Sequence, residues 1–289
     1  MFNYRVHENG WTVLIEDFDL RTATQDDIYH IARLIATNTM VVLRNQNLST
    51  QDEVRIVKMF KDPQTFDTNT DKWATYKGCE VPESENLAFR VTGELDEQGR
   101  PGLAGEEDEL HWHCNDATTP DRKSIVWLYG VRGTKGSRTS WNNNILSYES
   151  LDEERRKPLE DLTWIPYGDT SYYDSIFTDL DSSKNPNIAN QYSPNLVVEN
   201  IAGKRGFYFP FLQIYGFNGM TREASKEIIE WLSEYTIQDK FCYHHDWQDG
   251  DLVISEQWLG IHRRWPFKEI KTRLLHRMAF DFPEQDYKR

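Results

Sequence analysis

Residues 110–116 read Leu-His-Trp-His-Cys-Asn-Asp. In an extended strand alternate side chains share a face, so His111, His113 and Asn115 would converge. Two imidazoles and an amide oxygen are donors for a divalent transition metal. Imidazole plus carboxylate, with coordination positions left open, suits a non-haem iron(II) oxygenase. Taken alone, a His-x-Asn equally describes a buried histidine with a hydrogen-bonded neighbour. A second group lies near the C-terminus. A Gly250-Asp251 turn feeds the apolar run Leu252-Val253-Ile254, His262 follows, and then Arg273 and Arg277. An arginine on a neighbouring strand can clamp a carboxylate through two parallel hydrogen bonds. The same pair equally describes surface arginines on a terminal strand.

Other polar residues read as structural. Cys114 falls on the opposite strand face from the candidate donors, as a buried thiol with nothing to lower its pKa. Alternation places one of His244 and His245 in the core and the other in solvent. Asn142-Asn143-Asn144 either shapes a pocket or ends a strand. Arg263-Arg264 reads as a solvated surface pair. Asp179 to Ser183 lacks the Gly and terminal Glu of a calcium loop.

These residues need strands to hold them. Trp11–Ile15 and Met40–Arg44 read as strands, and a helix capped by Thr24 lies between them with Ile28, Ile31, Leu34 and Ile35 on one face. Ser49 with Asp52 opens a second helix. From Leu110 strand signals dominate: residues 124–129, 138–141, 195–198, 206–209, 241–245, 251–255 and 273–282. A helical excursion is expected over 148–162 and an amphipathic helix over 225–235. Residues 61–85 and 96–108 read as loops, the second mobile, with a strand over 88–91 between them, and 167–195 as another long loop. The order is one β-rich domain with flanking helices, and not a βαβ repeat.

The aromatic share of 13 %, with ten Trp, is enough for a sizeable core in 289 residues. A net charge of −14 argues against non-specific binding to nucleic acid. The three cysteines, Cys79, Cys114 and Cys242, are widely spaced and make no CxxC, which favours a reducing compartment. No signal peptide and no apolar stretch near the roughly 18 residues needed to span a membrane is visible. The expectation is a cytoplasmic protein with neither a membrane nor a nucleic acid as partner.

Ordered along the chain, the motifs resemble the taurine dioxygenase (TauD/TfdA) family and the clavaminate synthase-like oxygenases. They are Val41-Val42-Leu43-Arg44-Asn45-Gln46, Trp112-His113-Cys114-Asn115, Gly136-Ser137-Arg138-Thr139, Trp247, Gly250-Asp251, His262, and Arg273 through Arg277. The resemblance covers nearly the whole chain. It implies a mainly β double-stranded β-helix (jelly roll) formed by residues 1–289 as a single domain, with loop insertions near 61–110 and 167–195 over the site. It further implies iron(II) held by His113 and His262. Thr139 and Arg277 would hold the distal carboxylate of 2-oxoglutarate, with Arg273 in support. O₂ would be the co-reactant, and a small polar molecule such as an amino acid would be hydroxylated. Relatives often assemble as dimers or larger oligomers.

One position departs from the family. The metal carboxylate falls at 115, where this chain has Asn115. Four arrangements follow. Asn115 ligates through its oxygen or yields to water; the position takes a halide, as in halogenating relatives, although Asn is bulkier than their Gly or Ala; Asp116 swings in through a bulge; or His111, His113 and His262 make an all-histidine set. A non-catalytic protein that kept the 2-oxoglutarate and metal pocket is the rival class.

Overall fold

Two capping boxes start the fold. The Thr24 hydroxyl accepts from the Asp27 amide while the Asp27 carboxylate accepts from Thr24, and Ser49 and Asp52 repeat the arrangement. They open helices α1 (Gln25–Asn38) and α2 (Thr50–Val57). A computed structural model describes residues 2–66, 78–166 and 192–287.

The strands are β1 (Asn3–Val6), β2 (Val13–Glu16), β3 (Met40–Leu43), β4 (Phe89–Val91), β5 (Leu110–His113), β6 (Ile125–Arg132), β7 (Arg138–Asn142), β8 (Trp164–Pro166), β9 (Val197–Glu199), β10 (Arg205–Phe207), β11 (Ile214–Phe217), β12 (Cys242–Asp246), β13 (Leu252–Glu256), β14 (His262–Arg264) and β15 (Leu274–Phe280). Helices α3 (Asn144–Glu149), α4 (Glu153–Arg156) and α5 (Arg222–Thr236) complete the α-helices among the described residues, beside short 3-10 turns such as Phe211–Gln213. A seven-stranded sheet runs β1-β2-β3-β13-β6-β15-β4, and a four-stranded sheet runs β12-β7-β14-β5. Two-stranded ribbons join β10 to β9 and β11 to β8.

Alternation along the central strands explains the layers. Val41, Leu43, Leu252, Ile254, Met278 and Phe280 face one side and pack under α1 and α2. Met40, Val42, Val253 and Leu275 face the other side and meet Trp141 and Tyr243 of the four-stranded sheet and Trp247 just past β12. Strands buried on both faces read as continuous apolar runs, which is why Met40–Leu43 is apolar at every position. Glu53 of α2, fully buried, pins the helix layer to the sheet. Its carboxylate pairs with His276 Nδ1 at 2.7 Å and accepts from Trp127 Nε1 at 3.1 Å.

Four strands, β1, β8, β11 and β14, lie outside the sequence reading. β1 is exposed at all four positions and has no apolar pattern to betray it. β14 is three polar residues, His-Arg-Arg. The helical excursion begins earlier, at Asn144, and breaks at Ser150 before Asp152 caps α4. The three cysteines are buried and unbridged. Among the described residues no helix is long and apolar enough to cross a membrane.

Glu256, at the end of β13, is buried with one carboxyl oxygen accepting from Asn200 Nδ2 at 3.1 Å. Burial pushes its pKa up to about 8, against the smaller opposing effect of that hydrogen bond. A folded pKa above the unfolded one means a contribution fully present below the ordinary carboxylate range and lost as pH rises toward 8. Glu256→Gln should therefore be close to neutral near pH 5 and more stable than the native chain by about a few kcal/mol near pH 8. Thermal melts at the two pH values check this; a difference independent of pH would contradict it.

Candidate active site

The antiparallel register of β14 with β5 and β7 sets His262 opposite His113 on one side and Trp141 on the other. The two imidazoles lie with ring centroids 4.3 Å apart, and the Trp141 ring stacks on His262 at 6.2 Å. His113 Nδ1 sits 2.6 Å from the His111 carbonyl oxygen. A proton on Nδ1 donates there, fixing the tautomer whose Nε2 carries the lone pair. Burial pushes the His113 pKa down to about 4, outweighing that hydrogen bond. His262 is held well below the usual histidine range by burial, then by His113 and Arg277. Both rings are neutral at pH 7, the form that binds a metal.

Both histidines line one cavity of about 580 Å³, which Asn115, Asp116, Thr139, Arg273 and Arg277 also line. The Asn115 side-chain amide makes no hydrogen bond to any described residue. Asp116 adopts φ 54°, in the left-handed region. Its carboxylate lies 3.8 Å from Arg277 Nη2, beyond hydrogen-bond length. His111 lies outside the cavity, half-exposed, with Nδ1 3.5 Å from Glu109. Among the described residues no three His, Cys, Asp or Glu side chains form a group able to hold a metal. Neither Asp116 nor His111 therefore completes a cluster with the two histidines: the Asp116 carboxylate lies toward Arg277, and His111 stands outside the cavity beside Glu109.

The other end of the cavity is cationic. In the next row of the four-stranded sheet Arg264 stands opposite Thr139. Thr139 is buried, and its hydroxyl accepts from Trp247 Nε1 at 2.9 Å. Arg273 and Arg277 fall on one face of the β15 line with Leu275 between them. Arg273 is 2 % exposed, and its Nε and Nη1 have no hydrogen-bond partner. Burial and then the charge of Arg264 push its pKa down to about 9, so it stays protonated at pH 7. Arg277 acts electrostatically on both histidines. Arg277, 3.8 Å from the carboxylate of Asp116, lies next to the 113–116 segment, while the charge of Arg264 is felt at Arg273.

Arg264 is not the solvated surface residue its Arg-Arg context suggests. It is buried and donates to the carbonyls of Ala104 and Glu106, both at 2.7 Å, and of Asp108. Three carbonyls offset its burial and tie the 104–108 loop to the cavity rim. As alternation requires, His245 is buried, 3.1 Å from Asp251, and His244 is half-exposed beside Ser140. Asn142, Asn143 and Asn144 end β7 and cap α3, away from the cavity. Cys114 is buried with its pKa pushed up to about 11 by desolvation, which keeps it a thiol. Asp179 to Ser183, and the 167–191 part of the long loop, lie outside the described residues. Two residues at the site carried no sequence signal: Gln213 and Gln257, which hold the backbone at 114–115.

The sequence profile of the family described as "Taurine catabolism dioxygenase TauD, TfdA family" matches residues 8–279. Pentalenolactone F synthase of Streptomyces arenae is 23 % identical over 213 residues, 69 % of this chain and 71 % of the relative. The alpha-ketoglutarate-dependent 2,4-dichlorophenoxyacetate dioxygenase of Cupriavidus pinatubonensis is 22 % identical over 253 residues, 86 % and 87 % of the two chains. Among solved structures, AAD-2 in complex with Mn(II) and N-oxalylglycine superposes with a TM-score of 0.74 at 16 % identity, over 99 % of both chains. A putative alpha-ketoglutarate-dependent taurine dioxygenase from Burkholderia xenovorans gives 0.73 at 18 % identity, over 97 % of this chain and 89 % of the other.

Proposed function

The chain belongs to the TauD/TfdA family and is a 2-oxoglutarate-dependent dioxygenase, and on that premise we propose that it hydroxylates a small polar molecule with iron(II) held by His113, His262 and the Asn115 amide oxygen. The single observation that carries this reading is the cavity itself. It has two neutral imidazoles in register and an unengaged amide at one end, and a buried guanidinium without a counter-charge at the other. The residues fit both cofactors. Neutral histidines bind a divalent ion, and a buried unpaired arginine is offset by an arriving carboxylate.

The layout supports Arg273 with Thr139, and not Arg277, as the seat of the distal carboxylate of 2-oxoglutarate. Spacing along the chain favours Arg277, but the 3.8 Å approach of Arg277 to Asp116, beside Asn115, supports the imidazole end for it. Arg277 and Asp116 then face the substrate side as a loose pair of opposite charge, which favours a small charged or zwitterionic substrate. Bound iron(II) and 2-oxoglutarate supply the oxidising chemistry, with O₂ reduced as the keto acid becomes succinate and CO₂. The chain's part is to hold and shield. The His111 carbonyl keeps the His113 lone pair available, and Leu128, Leu275, Val91 and Phe89 wall the cavity with apolar surface. With Asn115 for a carboxylate, the metal site is one unit more positive, and the dianionic co-substrate offsets more of that charge.

Two facing sheets whose side chains meet in one layer support a jelly roll, and the family match over residues 8–279 supports one domain over 1–289. The unbridged cysteines suit a cytoplasmic setting. Asn115 lines the cavity and is bulkier than the Gly or Ala of halogenating relatives, which favours hydroxylation over halogenation. The test is O₂-dependent succinate formation with iron(II) across a panel of amino acids and small carboxylates. One or more compounds should stimulate it several-fold over the substrate-free rate. Binding of iron and 2-oxoglutarate with no succinate from any compound would favour the non-catalytic class.

A further inference from the structure

β5 stops at His113, one residue short of the part of the chain that matters most. Cys114 and Asn115 lie past the β5–β14 ladder, so their backbone groups need other partners. Two glutamine side chains provide them. Gln213 bonds both polar atoms of Cys114: its Oε1 accepts from the Cys114 amide at 2.9 Å, and its Nε2 donates to the Cys114 carbonyl at 3.0 Å. Gln257 Oε1 accepts from the Asn115 amide at 3.1 Å, and its Nε2 donates to the Lys123 carbonyl at 3.0 Å. The Cys114 thiol reaches the Gln257 carbonyl at 3.0 Å. Both glutamines are buried, at 4 % and 3 % exposure. Gln213 comes from the short turn Phe211–Gln213, and Gln257 from the connection between β13 and β14. The segment is thus gripped from two parts of the fold distant in sequence.

A carboxylate at position 115 would tolerate a loose backbone. It has two equivalent oxygens, and its charge attracts a cation over several ångströms. An amide has one donor oxygen and an NH₂ that repels a cation, and its dipole falls off steeply with distance and angle. From this difference, and resting on the reading of Asn115 as a metal donor, we infer that Gln213 and Gln257 are positioning residues that make an asparagine usable as the third ligand. They fix the Asn115 backbone so that its single donor oxygen is offered to the point the two imidazoles share. The grip is uncharged and does not restore the missing negative charge; it restores aim.

The test is a set of double-mutant comparisons. Gln213→Met and Gln257→Met are made in the native chain and in Asn115→Asp. Iron(II) affinity is read anaerobically with saturating 2-oxoglutarate from the visible charge-transfer band, and each apo-protein is melted in parallel. In the native chain either Met variant should weaken iron(II) binding by about 10- to 100-fold, the usual range for groups that orient a ligand. In the Asn115→Asp background the same change should weaken it by no more than roughly threefold. Equal losses in both backgrounds would reduce the glutamines to fold stabilisers and overturn the inference, as would no loss in either. Gln213→Asn and Gln257→Asn, which stay polar but fall one methylene short, serve if a Met variant does not fold, with the same contrast expected. A native chain that binds no iron(II) while Asn115→Asp does would instead overturn the assignment of Asn115 as a donor. That pattern differs from any in which the glutamines alone fail.

Discussion

Arg273→Leu is expected to weaken 2-oxoglutarate binding by at least about 30-fold, the loss of roughly 2 kcal/mol or more that follows removal of one partner of a buried charge pair. Iron(II) binding by the two histidines should stay close to native, because Arg273 belongs to the far end of the cavity. The apo-protein should melt no lower than native, since the variant removes a buried guanidinium whose Nε and Nη1 have no partner. Calorimetric titration of 2-oxoglutarate, with melting curves alongside, checks all three. The comparison with Arg277→Leu decides between the two arginines. If Arg277→Leu destroys 2-oxoglutarate affinity and Arg273→Leu does not, the order taken from chain spacing is right and the order taken from the contacts in the fold is wrong.

The second large effect concerns position 115. Asn115→Asp should tighten iron(II) binding by about tenfold or more. A unit charge about 4 Å from a cation is worth roughly 4 kcal/mol at the dielectric of a protein surface, and desolvation removes part of it. The substitution changes almost no volume, and the backbone grip by Gln257 is untouched. Anaerobic competition against a chelator measures the change. Weaker binding in Asn115→Asp would mean that residue 115 does not face the metal.

How much of this was legible follows from particular residues. His113, Asn115 and His262 could be read because a strand's alternation and the ordered motifs are written in the sequence, and both helix starts could be read because a capping box is local. The order of Arg273 and Arg277 could not. Spacing along one strand says that they share a face, but not which end meets the imidazoles. That depends on how β15 of one sheet lies over β5 and β14 of the other, and β14 is three polar residues with no apolar pattern. Arg264 looked like half of a solvated pair because its compensation comes from three carbonyls about 160 residues away. Gln213 had no signal at all, since a glutamine after Pro-Phe-Leu has no spacing rule, and its partner is Cys114, 99 residues earlier. Local chemistry was readable; whatever depends on which strand lies beside which was not.

The most direct test of the account is an anaerobic titration of the apo-protein with iron(II) and then with 2-oxoglutarate, watching the visible metal-to-ligand charge-transfer band. The band should appear only when both are present and should be lost in His262→Ala. That result would show the keto acid and the metal meeting in one site built without a carboxylate ligand. No band at any concentration, with iron(II) left unbound, would contradict the claim that His113, His262 and Asn115 form a working metal site.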